Sequence, residues 1–314
     1  MVHMPGHIFY RIGDYERARS SFLKALRVDR EYMDRQHVSE RDDWNYSHNL
    51  AYLIADCAEE GRYHEAREHL KTLAAIPPEP GSSGFFWQIG GTAIRLAMRF
   101  GNWDEVRDQV AALSPPDETS AVWVRGYREL TAAYAAGMKA VESGQLADAE
   151  AKSNLLDALL WRVSHEDVGD KNKGIRDQVI NNLDTSSLEL RGHIAGARGN
   201  FEEMRKLLEN AAEKERELGY AEPPRYSRPA LESLGHGLIR AGKFSDARDA
   251  FDKELRRRPH SGFALYGIAL AWEKEGSREE SIKAYRAFLD SWSHADRDLP
   301  QIKHAQGYLA GVSR

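Results

Sequence analysis

Gly13-Asp14-Tyr15-Glu16-Arg17-Ala18 decides the reading of this chain, because the same phrase returns six more times. It recurs at Gly61 to Ala66, Gly101 to Val106, Gly144 to Ala149, Gly199 to Met204, Gly242 to Ala247 and Gly276 to Ser281. One physical account covers every copy. Glycine ends a helix by accepting the left-handed backbone, an aromatic or aliphatic residue two places on fills the corner, and acidic residues open the next helix where the macrodipole favours negative charge. A small residue then lets the two helices approach. The phrase therefore predicts a chain of helical hairpins.

Composition narrows the function classes. With 314 residues, a formal net charge of -5 and 30% charged side chains, the surface is mildly acidic, which argues against a general nucleic-acid or anionic-membrane surface. Cys57 is the single cysteine, so no internal disulfide forms. No apolar run approaches the roughly 20 residues that span a bilayer, and Met1 to His7 lacks the charged head and apolar body of a signal peptide. The expectation is a cytoplasmic protein as written. The first hairpin starts with its leading helix already under way, so an upstream segment is expected to be missing; a signal within it would move the protein to the periplasm.

The hairpins resemble tetratricopeptide repeats over nearly the whole chain. Only the last interval, Gly242 to Gly276, matches the roughly 34-residue period of that family, and the others call for longer helices or connectors. The resemblance puts small contact residues at Gly6, Gly137, Gly192 and Gly235. It puts second-helix packing positions at Phe22, Ala25, Leu70, Leu73, Val110, Leu113, Phe251, Tyr285 and Phe288. The fold it implies is all-α, a right-handed α-solenoid of about seven helix pairs plus a C-terminal capping helix, forming a single superhelical domain over 1–314. The units are read at 1–34, 44–76, 84–114, 121–165, 174–219, 228–259 and 260–290, with the cap at 298–312. Pro77 to Gly81 and Pro115-Pro116 mark breaks, and Asp167 to Gly174 reads as a charged connector.

In that family the first helix of each unit lines a concave groove, and the register turns this into named residues. They are Tyr10 and Arg11; Gln88, Arg95 and Arg99; Tyr134; Glu189 with His193; Glu232 with His236; and Tyr266. The resemblance implies a non-catalytic scaffold that binds a peptide or protein segment along this groove, with no nucleic acid and no membrane insertion; oligomeric state is not readable. The family's carboxylate clamp uses Lys and Asn where this chain has His3, His7, Ala51 and Ala55, a departure that argues against chaperone C-termini as partners. RNA-reading helical repeats need a strict period and a basic surface, both absent here.

The alternative reading is a metal-binding protein or metal-dependent enzyme. His3 and His7 are spaced for one helical face and His48 falls on the neighbouring first helix, three imidazoles suited to Zn²⁺ or another divalent transition metal. Plainer readings accompany these sites. The Glu189/His193 and Glu232/His236 pairs have the spacing of ordinary helix-surface pairs. Arg95 and Arg99 also suit a solvated face, Cys57 suits a small buried packing residue, and Arg256 to Arg258 complement a helix C-terminus. Three phrases, His3-Met4-Pro5-Gly6-His7, Tyr46-Ser47-His48-Asn49 and Glu222-Pro223-Pro224-Arg225-Tyr226, resemble a group of bacterial tetratricopeptide proteins whose members carry further histidine-rich sequence upstream.

Overall fold

The computed structural model describes residues 2–76, 91–113, 122–167, 170–219, 221, 223–224 and 226–312. Among them are fifteen α-helices and no strand. In order they are α1 Met4–Arg11, α2 Tyr15–Gln36, α3 Trp44–Glu59, α4 Tyr63–Ala74, α5 Gly91–Arg99, α6 Trp103–Ala112, α7 Val122–Glu142 and α8 Leu146–His165. Then follow α9 Asp170–Ala197, α10 Phe201–Glu217, α11 Ala230–Arg240, α12 Phe244–Arg257, α13 Gly262–Glu275, α14 Arg278–Ser291 and α15 Pro300–Val312.

The repeated glycine does what the sequence requires of it. At all seven positions, from Gly13 to Gly276, φ lies between 69° and 86°, the left-handed region that ends one helix and admits the next. Acidic side chains follow in the first turns of α2, α4, α6, α8, α10, α12 and α14, and Asp14 and Asn200 also cap their helices by accepting from the backbone N–H of Arg17 and Glu203. Close approach is the second requirement. A Cβ on Gly137 would lie 2.6 Å from Leu190, and one on Gly267 2.3 Å from Phe251, so these helices pack closer than alanine allows.

Phe22, Ala25, Leu73, Val110, Phe251, Tyr285 and Phe288 are buried, as the register predicts, whereas Leu70 and Leu113 are only half-buried. One boundary moves. Asp170 to Gly174, read as part of a charged connector, lies within α9, a 28-residue helix that accounts for the longest interval between turns. The breaks at Pro77 to Gly81 and Pro115-Pro116 lie outside the described residues.

The chain divides into two compact units, one made of Met1–Thr92 together with Gly242–Arg314, the other of Ala93–Ala241. The first joins sequence-distant helices through their turns. Tyr15 Oη donates to the Pro259 carbonyl at 3.1 Å, and His260 Nδ1 donates to the Gly13 carbonyl at the same distance. Asp296 N donates to the Gly61 carbonyl at 3.0 Å, and the Asp296 carboxylate accepts from His64 N at 2.7 Å at the start of α4. The last helix, α15, buries Ile302 and Ala305, and its Tyr308 hydroxyl meets Ser281 Oγ at 2.6 Å. The second unit packs α7 against α9 and α9 against α11, first helices of successive pairs side by side.

Candidate functional site

In the second unit, two of the sequence-predicted residues, Tyr134 of α7 and His193 of α9, meet at Glu189. This carboxylate is fully buried. Its Oε2 accepts from the hydroxyls of Tyr134 at 2.7 Å and Tyr226 at 2.5 Å, and its Oε1 from Ser233 Oγ at 2.5 Å and Arg228 Nε at 3.3 Å. Burial alone works to raise its pKa. The neighbouring His193, the charge of Arg228 and the hydrogen bond from Ser233 outweigh it, so the carboxyl is held well below the usual range and stays ionised.

His193 sits one turn along α9, its Nε2 3.7 Å from Glu189 Oε1. Arg240 Nη2 lies 3.5 Å from His193 Nδ1. Because guanidinium only donates, Nδ1 accepts and Nε2 carries the hydrogen facing Glu189. Burial lowers the pKa of His193, with Glu189 opposing and Arg228 and Arg240 assisting, so the ring is neutral at pH 7.

Glu232 and His236 repeat the Glu189/His193 spacing but not its bonding. Glu232 instead pairs with Arg99, at 2.6 Å to Nη1 and 3.0 Å to Nη2, a buried two-pronged ion pair. His236 is pushed down to about 3, by burial first and then by Arg240, Arg228 and His193. Arg95, one turn before Arg99, and Arg240, one turn beyond His236, are also lowered, chiefly by burial. Arg95 is half-buried and Arg240 exposed. Four arginines, Arg95, Arg99, Arg228 and Arg240, thus share this wall with the buried carboxylates Glu189 and Glu232. Even with Glu142, which also acts on Arg228, cations outnumber carboxylates.

The Glu189 hub differs from a plain surface pair in two ways: it is dry, and most of its donors come from other elements. Tyr226 and Arg228, on the proline-rich segment before α11, were not singled out from sequence. The Arg228 guanidinium also lies over the Trp103 ring, 4.9 Å from its centroid.

The histidine trio gathers in the first unit. His7 and His48 bring Nε2 to within 3.4 Å of Nε2, and the His3 ring centroid lies 5.2 Å from that of His7 and 5.9 Å from that of His48. Both His7 and His48 are buried and are lowered to about 4, by burial first and by neighbouring histidines second. Tyr10 packs edge-on against Tyr15 and Tyr52, and Arg11 is exposed at the end of α1. Tyr266 meets His304 Nδ1 at 2.7 Å. Gln88 lies outside the described residues. Cys57 is buried.

Tetratricopeptide-repeat family models match residues 3–32 and 233–296. The chain carries tetratricopeptide repeats. Among solved structures, yeast Tom70 is similar at a TM-score of 0.52 and 15% identity, over 99% of this chain and 63% of that one. The chain thus spans less than two thirds of Tom70, and identity this low speaks for the repeat fold alone. The P58(IPK) TPR domain aligns over 98% of this chain and 97% of its own at 13% identity, but its TM-score of 0.29 carries no weight. No functionally curated protein matches the sequence. Among the described residues, no helix of this repeat protein is long and apolar enough to cross a membrane.

Proposed function

We propose that the protein is a non-catalytic binding scaffold whose first-helix wall in residues 93–241 takes an acidic peptide or protein segment. The observation that carries this is the surplus of arginine on that wall. Glu189 and Glu232 are spent on internal donors, whereas Arg240 reaches solvent and the neighbouring His193 and His236 are held neutral in a cationic surrounding. Such a surface attracts carboxylates and repels cationic segments. Catalysis finds less support, because Glu189 is saturated with donors and has no lone pair left for a base.

The test is a binding titration of two peptides of equal length and mirrored charge, one rich in Glu and one rich in Lys, at low and moderate salt. The acidic peptide is expected to bind, to weaken as salt rises, and to weaken with Arg95→Ala/Arg240→Ala. Equal affinity for both peptides, or indifference to that double substitution, rejects the reading.

The 3.4 Å separation of His7 Nε2 and His48 Nε2 favours a second reading, a divalent metal on the histidine trio. Two nitrogens bound to one tetrahedral Zn²⁺ at about 2.0–2.1 Å stand roughly 3.4 Å apart. The likeness of the His3 to His7 phrase to bacterial tetratricopeptide proteins with upstream histidines belongs with this reading. Zn²⁺ titration of untagged protein, followed by thermal unfolding with and without chelator, tests it. A melting temperature indifferent to both rejects it.

A further inference from the structure

The geometry points to a second, independent metal site where α2, α3 and α4 meet, with Cys57 Sγ, Glu65 carboxylate and His69 Nε2 as ligands to a thiophilic divalent ion of the Zn²⁺ class. One donor atom from each residue lies within 4.8 Å of the other two, and His69 Nε2 stands 3.5 Å from Glu65 Oε1 across one turn of α4. A tetrahedral ion needs such donors roughly 3.3–3.8 Å apart, given bonds of about 2.0–2.3 Å. The three groups therefore need to close by only about 1 Å, which side-chain rotation supplies.

Unmet bonding at the same place singles it out. His69 Nε2 is buried, and its neighbour Glu65 Oε1, at 3.5 Å, is too far for a strong hydrogen bond. Beside Cys57 in the chain, Asp56 is wholly buried, and neither of its carboxylate oxygens has a hydrogen-bond partner. Buried polar atoms without a partner call for an explanation, and a bound ion is one that suits a sulfur, an imidazole and carboxylates together. The charges have the right sign. Burial first, and then Glu65, Asp56 and Glu60 with Arg19 opposing, push the Cys57 thiol up, so a thiolate here needs a cation beside it.

The shell around Glu65 is already built. Arg19 Nε donates to its Oε1 at 2.8 Å and Arg62 Nη1 to its Oε2 at 3.3 Å. A ligating carboxylate is usually held in this way by outer hydrogen bonds. A sulfur, an imidazole nitrogen and one carboxylate oxygen leave a fourth position for water. On binding, the Cys57 S–H bond breaks, its proton leaves to buffer and the metal–sulfur bond forms, while Glu65 supplies a second negative charge, so the site with Zn²⁺ is neutral. The other group of comparable spacing, His64 with Asp296 and Asp298, lacks this signature. Its oxygens are already occupied by His64 N and Nε2, and His64 and Asp298 are exposed.

Co²⁺ titration of the full chain under reducing conditions tests the site. The expected result is a near-ultraviolet thiolate-to-cobalt band that saturates at one equivalent, is displaced by Zn²⁺ and vanishes in Cys57→Ser. Affinity read from the same band is expected to fall at least about tenfold in His69→Ala, since loss of an outer-shell partner alone costs that much. Absence of the band in the wild-type chain overturns the proposal without recourse to any variant. Cobalt absorption that has no sulfur component and survives Cys57→Ser also overturns it, and assigns the metal to the histidine trio instead.

Discussion

The indole Nε1 of Trp292 donates to the main-chain carbonyl of Glu59 at 2.8 Å, a hydrogen bond between residues 233 positions apart. The indole is 2% exposed and packs on Phe263 and Phe288. Trp292→Ala is expected to cost about 3–5 kcal/mol. Trp292→Phe, which keeps most of the packing and loses one hydrogen bond, is expected to cost about 0.5–1.5 kcal/mol. Urea unfolding measures both, and an unchanged midpoint in Trp292→Ala refutes the assignment.

Glu189→Gln tests whether the buried hub holds the second unit together. Removing the charge leaves the half-buried Arg228 without its carboxylate, and because breaking a fully buried ion pair from one side costs about 3–5 kcal/mol, a loss of about 2–4 kcal/mol is expected. Tyr134→Phe removes one of several donors and is expected to cost about 1 kcal/mol. Equal midpoints for the two variants in chemical denaturation contradict the central role given to the carboxylate.

The same turn glycine has unequal value along the chain. At Gly144, with φ +72° and nothing within 4 Å of an added Cβ, alanine meets only the left-handed penalty of about 1–2 kcal/mol. At Gly13 the added Cβ lies 2.0 Å from the Pro259 carbonyl oxygen. Gly13→Ala is therefore expected to destabilise clearly more than Gly144→Ala in thermal melts, and the reverse order refutes the contact.

His236 gives the protein an acid-sensitive term. Its folded pKa of about 3 lies below the ordinary 6.5, so the unfolded chain takes up the proton first. Stability from this group is full above pH 6.5 and is lost as pH falls towards about 3. The groups that act on it are Arg240, Arg228 and His193. His236→Gln is expected to flatten the fall in stability between pH 6.5 and 4. Identical pH profiles for wild type and variant exclude the effect.

The sequence showed the turns because their code is local, a glycine with acidic residues close behind it. It also placed Arg99, Tyr134, Glu189, His193, Glu232 and His236 on one wall, because helical register carries over from turn to turn. Bonding between those residues was not legible. Glu232 is one turn from His236 yet pairs with Arg99, 133 residues away, and spacing along one helix says nothing of such a partner. Tyr226 and Arg228 come from an irregular proline-bearing segment with no period to align. Cys57 read as packing because its burial was foreseeable, whereas the unbonded atoms beside it appear only once α3 and α4 are laid together.

Repeat arrays ordinarily keep a nearest-neighbour order, each unit contacting only the units beside it. The body formed by Met1–Thr92 with Gly242–Arg314 breaks that order. Residues 93–241 are contiguous and have all their own partners as soon as they are synthesised. Tyr15, Glu59 and Gly61 must wait for Pro259, Trp292 and Asp296, closing loops of well over two hundred residues. Helices made before residues 93–241 are thus finished after them, and a premature stop after Ala241 leaves their docking face bare rather than simply shortening the array.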